Sequence, residues 1–225
     1  FFVMMIALGI FSVGCFIFPS VSNLINEYCN ESRINEYNSN VSTSSNRKIQ
    51  AELSKAKQYN QMIATDYFSD SNDEYEKVLN EYFDILDIDN GIMGTIEIPS
   101  INVKLPIYHG ESEDVLKKGA AHLEKSSFPI GGTDTRACVS AHSGYPTQKF
   151  FDDIDELVLD DVIYIRILNQ TLKYIVCGTE VIEPNDITKL KVEKGRDLLT
   201  LITCYPYGIN SHRLIVHAER VQDEG

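Results

Sequence analysis

The chain has 225 residues, of which 43% are hydrophobic, and its formal net charge at pH 7 is −13. This length and apolar content predict one well-packed domain with appendages and exclude a chain that is disordered throughout. The negative charge excludes nucleic acid as a partner, because phosphate binding needs a basic face, and it disfavours electrostatic attachment to an anionic membrane. A cationic or amine-bearing partner fits this charge, although an acidic, solvated surface explains it as well.

The first predicted element is an apolar helix over residues 1–18. This stretch, FFVMMIALGIFSVGCFIF, contains neither a charged residue nor a proline, and it is about as long as a helix must be to span a bilayer. A cleaved signal peptide is the alternative, but no small-x-small cleavage site follows the run. We therefore expect an uncleaved membrane anchor, with the rest of the chain on the extracellular side of the cell membrane.

A polar stretch and two helices are predicted before the first strand. Residues 19–46 are rich in Asn and Ser, which is typical of a solvated stalk or linker. A helix is expected over 47–64, and the sequence DYFSDSN at 66–72 ends it. A second, amphipathic helix is expected from Asp73, with Tyr82, Phe83 and Leu86 on its apolar face. Residues 47–92 thus form a predicted helical region.

From Met93 onward the pattern is that of a mainly β domain, predicted over 93–220 and followed by a short tail at 221–225. Short helices are expected at 112–118, where Ser112 can cap the first turn, and at 148–157. Several strands without regular helix alternation indicate a closed β-barrel rather than a doubly wound sheet. The predicted strands are 94–98, 136–142, 162–168, 171–183, 198–204 and 213–219.

The cysteines and histidines give no sign of a metal or cofactor site. The five cysteines are an odd number and include no Cys-x-x-Cys pair, which argues against a disulfide framework, a zinc ribbon and a redox dithiol. The histidines likewise lack ligand spacing. We therefore expect no metal and no cofactor. The cysteines are Cys15, Cys29, Cys138, Cys177 and Cys204.

Three residues at predicted strand ends are candidates for nucleophilic chemistry. Cys204 ends one apolar strand and Arg213 opens the next, so both are expected at the same end of two antiparallel neighbours. An arginine there can stabilise a thiolate or an oxyanion. His142 ends another strand and can serve as an acid or base. A buried inert cysteine and a surface arginine are the alternatives, and spacing alone does not choose among five histidines.

The residues around these candidates resemble the sortase family. The block 200–214, TLITCYPYGINSHRL, is similar to the Thr-Leu-x-Thr-Cys…Arg signature of sortases, and its second half resembles the pilin-assembling class C branch. Residues 93–110, 119–124 and 140–144 are similar to further family segments. The resemblance implies a sortase-type closed β-barrel with Cys204 as the nucleophile. It also implies that His142 protonates the leaving amine and that Arg213 positions the substrate and stabilises the tetrahedral intermediate.

The resemblance implies a transpeptidase for LPxTG-like sorting signals. The enzyme would cleave the Thr–Gly bond and pass the acyl group to a pilin lysine amine, building covalent pili. The first alternative keeps the enzyme but attaches surface proteins to the amine of a peptidoglycan precursor. The second is a non-catalytic, membrane-tethered domain on the same scaffold. The expected partners are therefore pilins or surface proteins, an acceptor lysine or cell-wall amine, and the membrane through the N-terminal helix.

Class C sortases also carry an N-terminal lid with an Asp-Pro-Phe or Asp-Pro-Trp tripeptide. This chain has Asp66-Tyr67-Phe68 at the corresponding break between the two predicted helices. The resemblance implies that Asp66 pairs with Arg213 and that Phe68 covers Cys204. Tyr67 replaces the proline and so removes its fixed φ angle, which leaves the backbone freer. An ordinary loop is the alternative.

Overall fold

Eight strands from residue 92 onward close into a barrel in a computed structural model that describes residues 2–66, 81–88 and 90–221. Around the barrel the strand order is β1-β2-β3-β4-β7-β8-β6-β5. The predicted closed, mainly β barrel is confirmed. The strands are β1 (Ile92–Ile98), β2 (Val103–His109), β3 (Ala120–His122), β4 (Thr135–Ser140), β5 (Val162–Ile167), β6 (Gln170–Ile182), β7 (Asp197–Tyr205) and β8 (His212–Val221).

The helices lie before the barrel and in its connections. The helix predicted over 47–64 is confirmed as α2, and the Ser112 hydroxyl caps the short α3 by accepting from Val115 N at 3.3 Å. Of the helix expected over 148–157, only one 3₁₀ turn forms, at Ile154–Glu156. The α-helices are α1 (Phe2–Thr43), α2 (Asn46–Asp66) and α3 (Glu113–Leu116), and the other 3₁₀ turns are Tyr82–Asp84, Pro99–Ile101 and Thr188–Leu190.

The expectation of a solvated stalk over 19–46 is wrong for most of that stretch, because α1 continues to Thr43. Ile34, Tyr37 and Val41 are buried against the barrel. Their spacing of three and four residues puts them on one face of a helix, while the Asn and Ser side chains that suggested a linker lie mostly on the solvated face. The apolar first part of α1 is long and apolar enough to cross a membrane, and its large side chains are exposed.

The helix expected from Asp73 falls largely on residues 67–80, which lie outside the described residues. Among the residues of this segment that the structure describes, Tyr82–Asp84 forms a single 3₁₀ turn and not a turn of α-helix. Leu86 has a positive φ of 64°, which a helix does not allow, and its N–H donates to the Glu52 carboxylate of α2 at 2.8 Å. A tertiary contact with α2 therefore overrides the helical pattern here.

Alternation along the strands separates two apolar clusters. Inward-facing side chains of β4, β7 and β8, such as Val139, Leu201 and Val216, fill the barrel. Their outward-facing neighbours Cys138 and Ile202 belong to a smaller cluster on the outer face. That cluster also includes Ile182, Leu190 and Ile215, so the β6–β7 connection over residues 183–196 covers part of this outer face.

One tyrosine hydroxyl fastens α1 to the barrel. Tyr37 is 2% exposed, and its hydroxyl donates to Met93 O and accepts from Leu168 N, both at 2.8 Å. Met93 lies at the irregularity between Ile92 and Gly94 in β1, and Leu168 lies in the β5–β6 turn. Burial raises the pKa of Tyr37 to about 12, so the hydroxyl stays protonated.

We expect Tyr37→Phe to lower the free energy of unfolding by about 1–3 kcal/mol, because the N–H of Leu168 and the carbonyl of Met93 both stay buried without a partner. Denaturant unfolding of the full chain in detergent measures this. Tyr28→Phe is the matched control, since Tyr28 lies on the same helix and is 75% exposed. Equal stability of the two variants would contradict the bridging role.

Candidate active site

The strand register gathers the three candidate residues at one end of the barrel. Cys204 of β7 is the direct partner of Arg213 in antiparallel β8. On its other side β7 runs parallel to β4, with Ser140 beside Ile202. This pairing continues past the end of β4, because Ala141 N donates to Ile202 O at 3.2 Å and the Thr203 hydroxyl donates to Ala141 O at 2.8 Å. His142 therefore follows directly beside the end of β7.

All three side chains point away from the barrel interior. Cys204 stands two residues after the outward-facing Ile202, and Arg213 stands two residues before the outward-facing Ile215. His142 stands four residues after the outward-facing Cys138, an even spacing that puts both side chains on the same face. The candidate site thus lies on the outer face beside the β6–β7 connection, where a peptide can reach it without entering the core.

Aromatic rings and a folded loop hold His142. Its ring stacks on Tyr145 with centroids 5.3 Å apart at 10°, and Phe150 contacts it edge-on at 6.3 Å. Its carbonyl accepts from Phe151 N at 2.9 Å. Among the described residues, no side chain hydrogen-bonds to the imidazole nitrogens. Packing against rings, and not a carboxylate, therefore sets its orientation in this part of the chain.

The loop that follows His142 is tied to both β7 and itself. The Ser143 hydroxyl donates to the carbonyl of Cys204 at 3.2 Å. The Asp152 carboxylate accepts from Gly144 N at 2.9 Å and from Phe150 N at 2.8 Å. The Asp152 carboxylate thus closes the loop around the imidazole, and the Ser143 side chain links this loop to the backbone of the cysteine strand.

Arg213 is held from one side by the connection between β7 and β8. Its Nη1 donates to His212 O at 2.9 Å and to Asn210 O at 3.4 Å, while Nε and Nη2 have no hydrogen-bond partner among the described residues. Burial, and next the charge of Glu124, raise the pKa of Glu111, and the nearby charge of Arg213 opposes this rise. With respect to the described residues, Nε and Nη2 of Arg213 can therefore donate to an oxyanion beside Cys204.

The thiols differ sharply in environment. Cys204 is half-buried, whereas Cys138 is fully buried. Burial raises the pKa of the Cys138 thiol to about 12, so it stays protonated and unreactive at neutral pH. Cys15 and Cys177 are exposed but lie away from the strand ends that carry His142 and Arg213.

A buried arginine holds the β6–β7 connection over the outer face. Arg136 of β4 is 2% exposed and donates from Nε to Lys191 O at 2.7 Å. Its Nη1 donates to the Thr200 hydroxyl at 2.8 Å, and its Nη2 pairs with the Glu193 carboxylate. A buried cation needs such compensation, and sequence reasoning missed this role because Arg136 is an isolated charge in an apolar strand pattern.

Ser140 adds a hydroxyl to the same outer face. Its Oγ is buried and has no hydrogen-bond partner among the described residues. Ser140 lies two residues before His142 and beside Ile202, so the unpaired hydroxyl is close to the candidate site. Buried hydroxyls are nearly always paired, and an exception calls for an explanation such as a ligand.

The lid residues are only partly described. Asp66 is the last residue of α2, whereas Tyr67 and Phe68 lie outside the described residues. The pairing of Asp66 with Arg213 and the covering of Cys204 by Phe68 stay predictions.

Two other histidines hold the segment that leads from the lid region into the barrel. The Tyr82 hydroxyl lies 2.9 Å from Nδ1 of His122 and accepts from Gly110 N at 3.0 Å. His122 donates from Nε2 to Ser127 O at 2.8 Å, and His109 donates from Nε2 to Ile85 O at 2.6 Å. These histidines are therefore structural, and burial lowers the pKa of His122 to about 3.

We expect acid to destabilise the protein through His122. Between pH 6.5 and 3 the unfolded chain protonates this residue while the folded chain does not, so stability falls as the pH falls. The slope is roughly 1.4 kcal/mol per pH unit. The variant His122→Gln keeps a neutral acceptor and donor. Urea unfolding of this variant at several pH values should show that its free energy of unfolding falls less steeply with falling pH. Parallel curves for the two proteins below pH 6.5 would contradict a neutral, buried His122.

Comparison with known proteins identifies relatives of this chain in both sequence and structure. Residues 96–221 match the family model of the sortase domain. The structure is similar to sortase C1 from Streptococcus agalactiae (38% identity, TM-score 0.80), covering 86% of this chain and 100% of that one. It is also similar to Clostridium perfringens sortase C solved with the C-terminal cell wall sorting motif (40% identity, TM-score 0.74), covering 85% of this chain and 98% of that one.

Curated relatives are more distant. Sortase D from Bacillus subtilis is 28% identical over 131 residues, which is 57% of this chain, and the chain spans 63% of the length of that relative. Sortase A from Bacillus anthracis is 28% identical over 162 residues, with 66% of this chain and 75% of the relative covered.

Proposed function

The chain belongs to the sortase family of cysteine transpeptidases acting on sorting signals, and we propose that it polymerises pilins into covalent pili. The observation that carries the proposal is the likeness to sortase C structures, which extends well beyond the barrel. The substrate class that this supports is a surface protein bearing an LPxTG-like motif. The acceptor would be a lysine amine of the next pilin.

The proposed first half-reaction uses Cys204 and Arg213. The thiolate of Cys204 attacks the carbonyl carbon of the motif threonine, and the carbonyl electrons move to its oxygen. The Nε and Nη2 groups of Arg213, which are unpaired among the described residues, lie at the same strand end and would stabilise this oxyanion. When the intermediate collapses, the C–N bond to glycine breaks and His142 protonates the leaving amine. A thioester on Cys204 remains.

The second half-reaction returns the enzyme to its starting state. The neutral acceptor amine attacks the thioester carbonyl, and His142, left neutral by its proton transfer, takes the amine proton. The C–S bond then breaks, and Cys204 leaves as the thiolate. The rings of Tyr145 and Phe150 support this role because they hold the imidazole without a charged partner among the described residues.

We further propose that the enzyme is anchored in the cell membrane with its catalytic domain outside. An uncleaved anchor over 1–18 would continue into the helical connection at 19–46. The lid-bearing region over 47–92 then precedes the catalytic barrel at 93–220 and the tail at 221–225. In this arrangement Asp66 and Phe68 would close over the site when no substrate is bound.

Anchoring of surface proteins to a cell-wall amine is the second candidate. The likeness to sortase A proteins favours it, since these relatives share the catalytic domain. The two candidates differ only in the amine that resolves the thioester, so the acceptor decides between them.

Product analysis with competing acceptors tests the proposal. The full chain in nanodiscs receives an LPxTG-like peptide together with a pilin domain and a peptidoglycan-precursor peptide. We expect mass spectrometry to find the threonine acyl group on a pilin lysine, with Cys177→Ala unaffected and Cys204→Ala inactive. Acyl transfer to the cell-wall peptide alone would contradict pilus building and favour anchoring.

We expect Ser140→Ala to raise the KM for the sorting peptide roughly fivefold, because a hydrogen bond gained on binding is worth about 1 kcal/mol. The free energy of unfolding should not fall, since the hydroxyl has no partner among the described residues. Steady-state kinetics measures KM, and denaturant unfolding measures the free energy of unfolding. Ser143→Ala is the neighbouring control, because the Ser143 hydroxyl has a protein partner. An unchanged KM would mean that the peptide does not use Ser140.

A further inference from the structure

Three hydrogen bonds join the helix α1 to the loop that follows His142. The Ser22 hydroxyl and Asn26 Nδ2 both donate to the carbonyl of Thr147, at 2.9 and 2.8 Å. The backbone N–H of Lys149 donates to Asn23 Oδ1 at 3.0 Å. The mechanism described above does not use these contacts.

The three side chains occupy the face of α1 that continues into its contact with the barrel. Ser22, Asn23 and Asn26 are partly buried, and the same face carries Asn30 and Ile34 one and two turns later. The face is therefore polar where it meets the loop and apolar where it meets the barrel. A polar face is suited to gripping backbone groups, which need hydrogen-bond partners.

Thr147 and Lys149, which accept from or donate to α1, belong to the loop that orients His142. Thr147 and Lys149 lie between Tyr145, which stacks on the imidazole, and Phe150, which contacts it edge-on. Phe150 is buried and its N–H is already fixed by Asp152. A shift of the stretch 147–149 would therefore move one or both rings that hold the histidine.

We propose that Ser22, Asn23 and Asn26 form a juxtamembrane clamp, a set of positioning residues that hold the catalytic-histidine loop in place from the membrane-anchor helix. The proposal rests on the proposed function, because it takes His142 as the acid and base. Its distinctive element is the double donation to Thr147 O, which no backbone neighbour supplies among the described residues.

The clamp also sets where the site works. The clamp residues begin four residues after Phe18, the end of the apolar run, and α1 is continuous between them. At 1.5 Å per residue, the grip lies about 6–12 Å beyond that run along the helix axis. With the apolar run of α1 inserted in the membrane, the clamp would therefore hold the histidine loop close to the bilayer surface.

Substitutions in the full chain in nanodiscs test the clamp. We expect Asn23→Ala with Asn26→Ala to lower kcat about tenfold while KM for the sorting peptide changes less than about twofold. Amide hydrogen exchange over 143–151 should become about tenfold faster, with exchange in β7 and β8 unchanged. Asn26→Asp has the shape of asparagine but cannot donate a hydrogen bond when ionised, so it should lower kcat at least as much as Asn26→Ala.

Two control variants separate positioning from general stability. Asn35→Ala makes the same change on the exposed face of α1 and should leave kcat and exchange unchanged. Ser22→Thr keeps the hydroxyl and should retain normal kcat, unlike Ser22→Ala. The clamp is overturned if exchange over 143–151 in the double variant equals that of Asn35→Ala, or if β7 and β8 loosen equally.

The same experiment distinguishes this proposal from the proposed function. If the unaltered chain forms no transpeptidation product, the proposed function fails, and the catalytic role of the clamp fails with it. Hydrogen exchange still decides whether α1 holds the loop. If product forms but the double variant keeps normal kcat despite faster exchange, the proposed function stands and the positioning role is wrong.

Discussion

The pairing of three strands is the constraint on which the site depends. β4 and β7 run parallel while β7 and β8 run antiparallel, so the ends of β4 and β7 and the start of β8 meet at one rim. Register then brings His142, Cys204 and Arg213 to neighbouring positions on the outer face. A slip of one residue would turn a side chain to the other face. Packing of the hydrophobic interior therefore fixes the strand register, and with it the residues that lie at the site on the outer face.

Around this frame, polar side chains fix segments that regular secondary structure does not. Tyr37 joins α1 to β1 and the β5–β6 turn, and Tyr82 joins the segment after the lid region to β2 and β3. Arg136 holds the β6–β7 connection over the outer face. Each of these groups is buried and paired, so each costs little to bury and defines one arrangement of the chain around the site.

The sequence predicted the parts of this structure that local pattern determines. The pattern of apolar strands predicted the barrel, and the block around Cys204 indicated the family and the candidate site. The residue pattern alone did not mark β2 and β3 as strands, because β2 contains Pro106 and β3 has only three residues. The continuation of α1 to Thr43 was missed because the Asn and Ser content of 19–46 outweighed the spacing of Ile34, Tyr37 and Val41. The contacts of Arg136 and Asn26 depend on partners distant in sequence, which no local pattern reveals.

The central claim is that Cys204 carries the acyl group between donor and acceptor. The most direct test mixes the full chain with an LPxTG-like peptide in the absence of any acceptor amine and locates the adduct by peptide-resolved mass spectrometry after rapid acid quenching. The account predicts a thioester that joins the peptide, cut after its threonine, to the fragment containing Cys204. An adduct on Cys29, Cys138 or Cys177 instead, or product formed by Cys204→Ala, would contradict it.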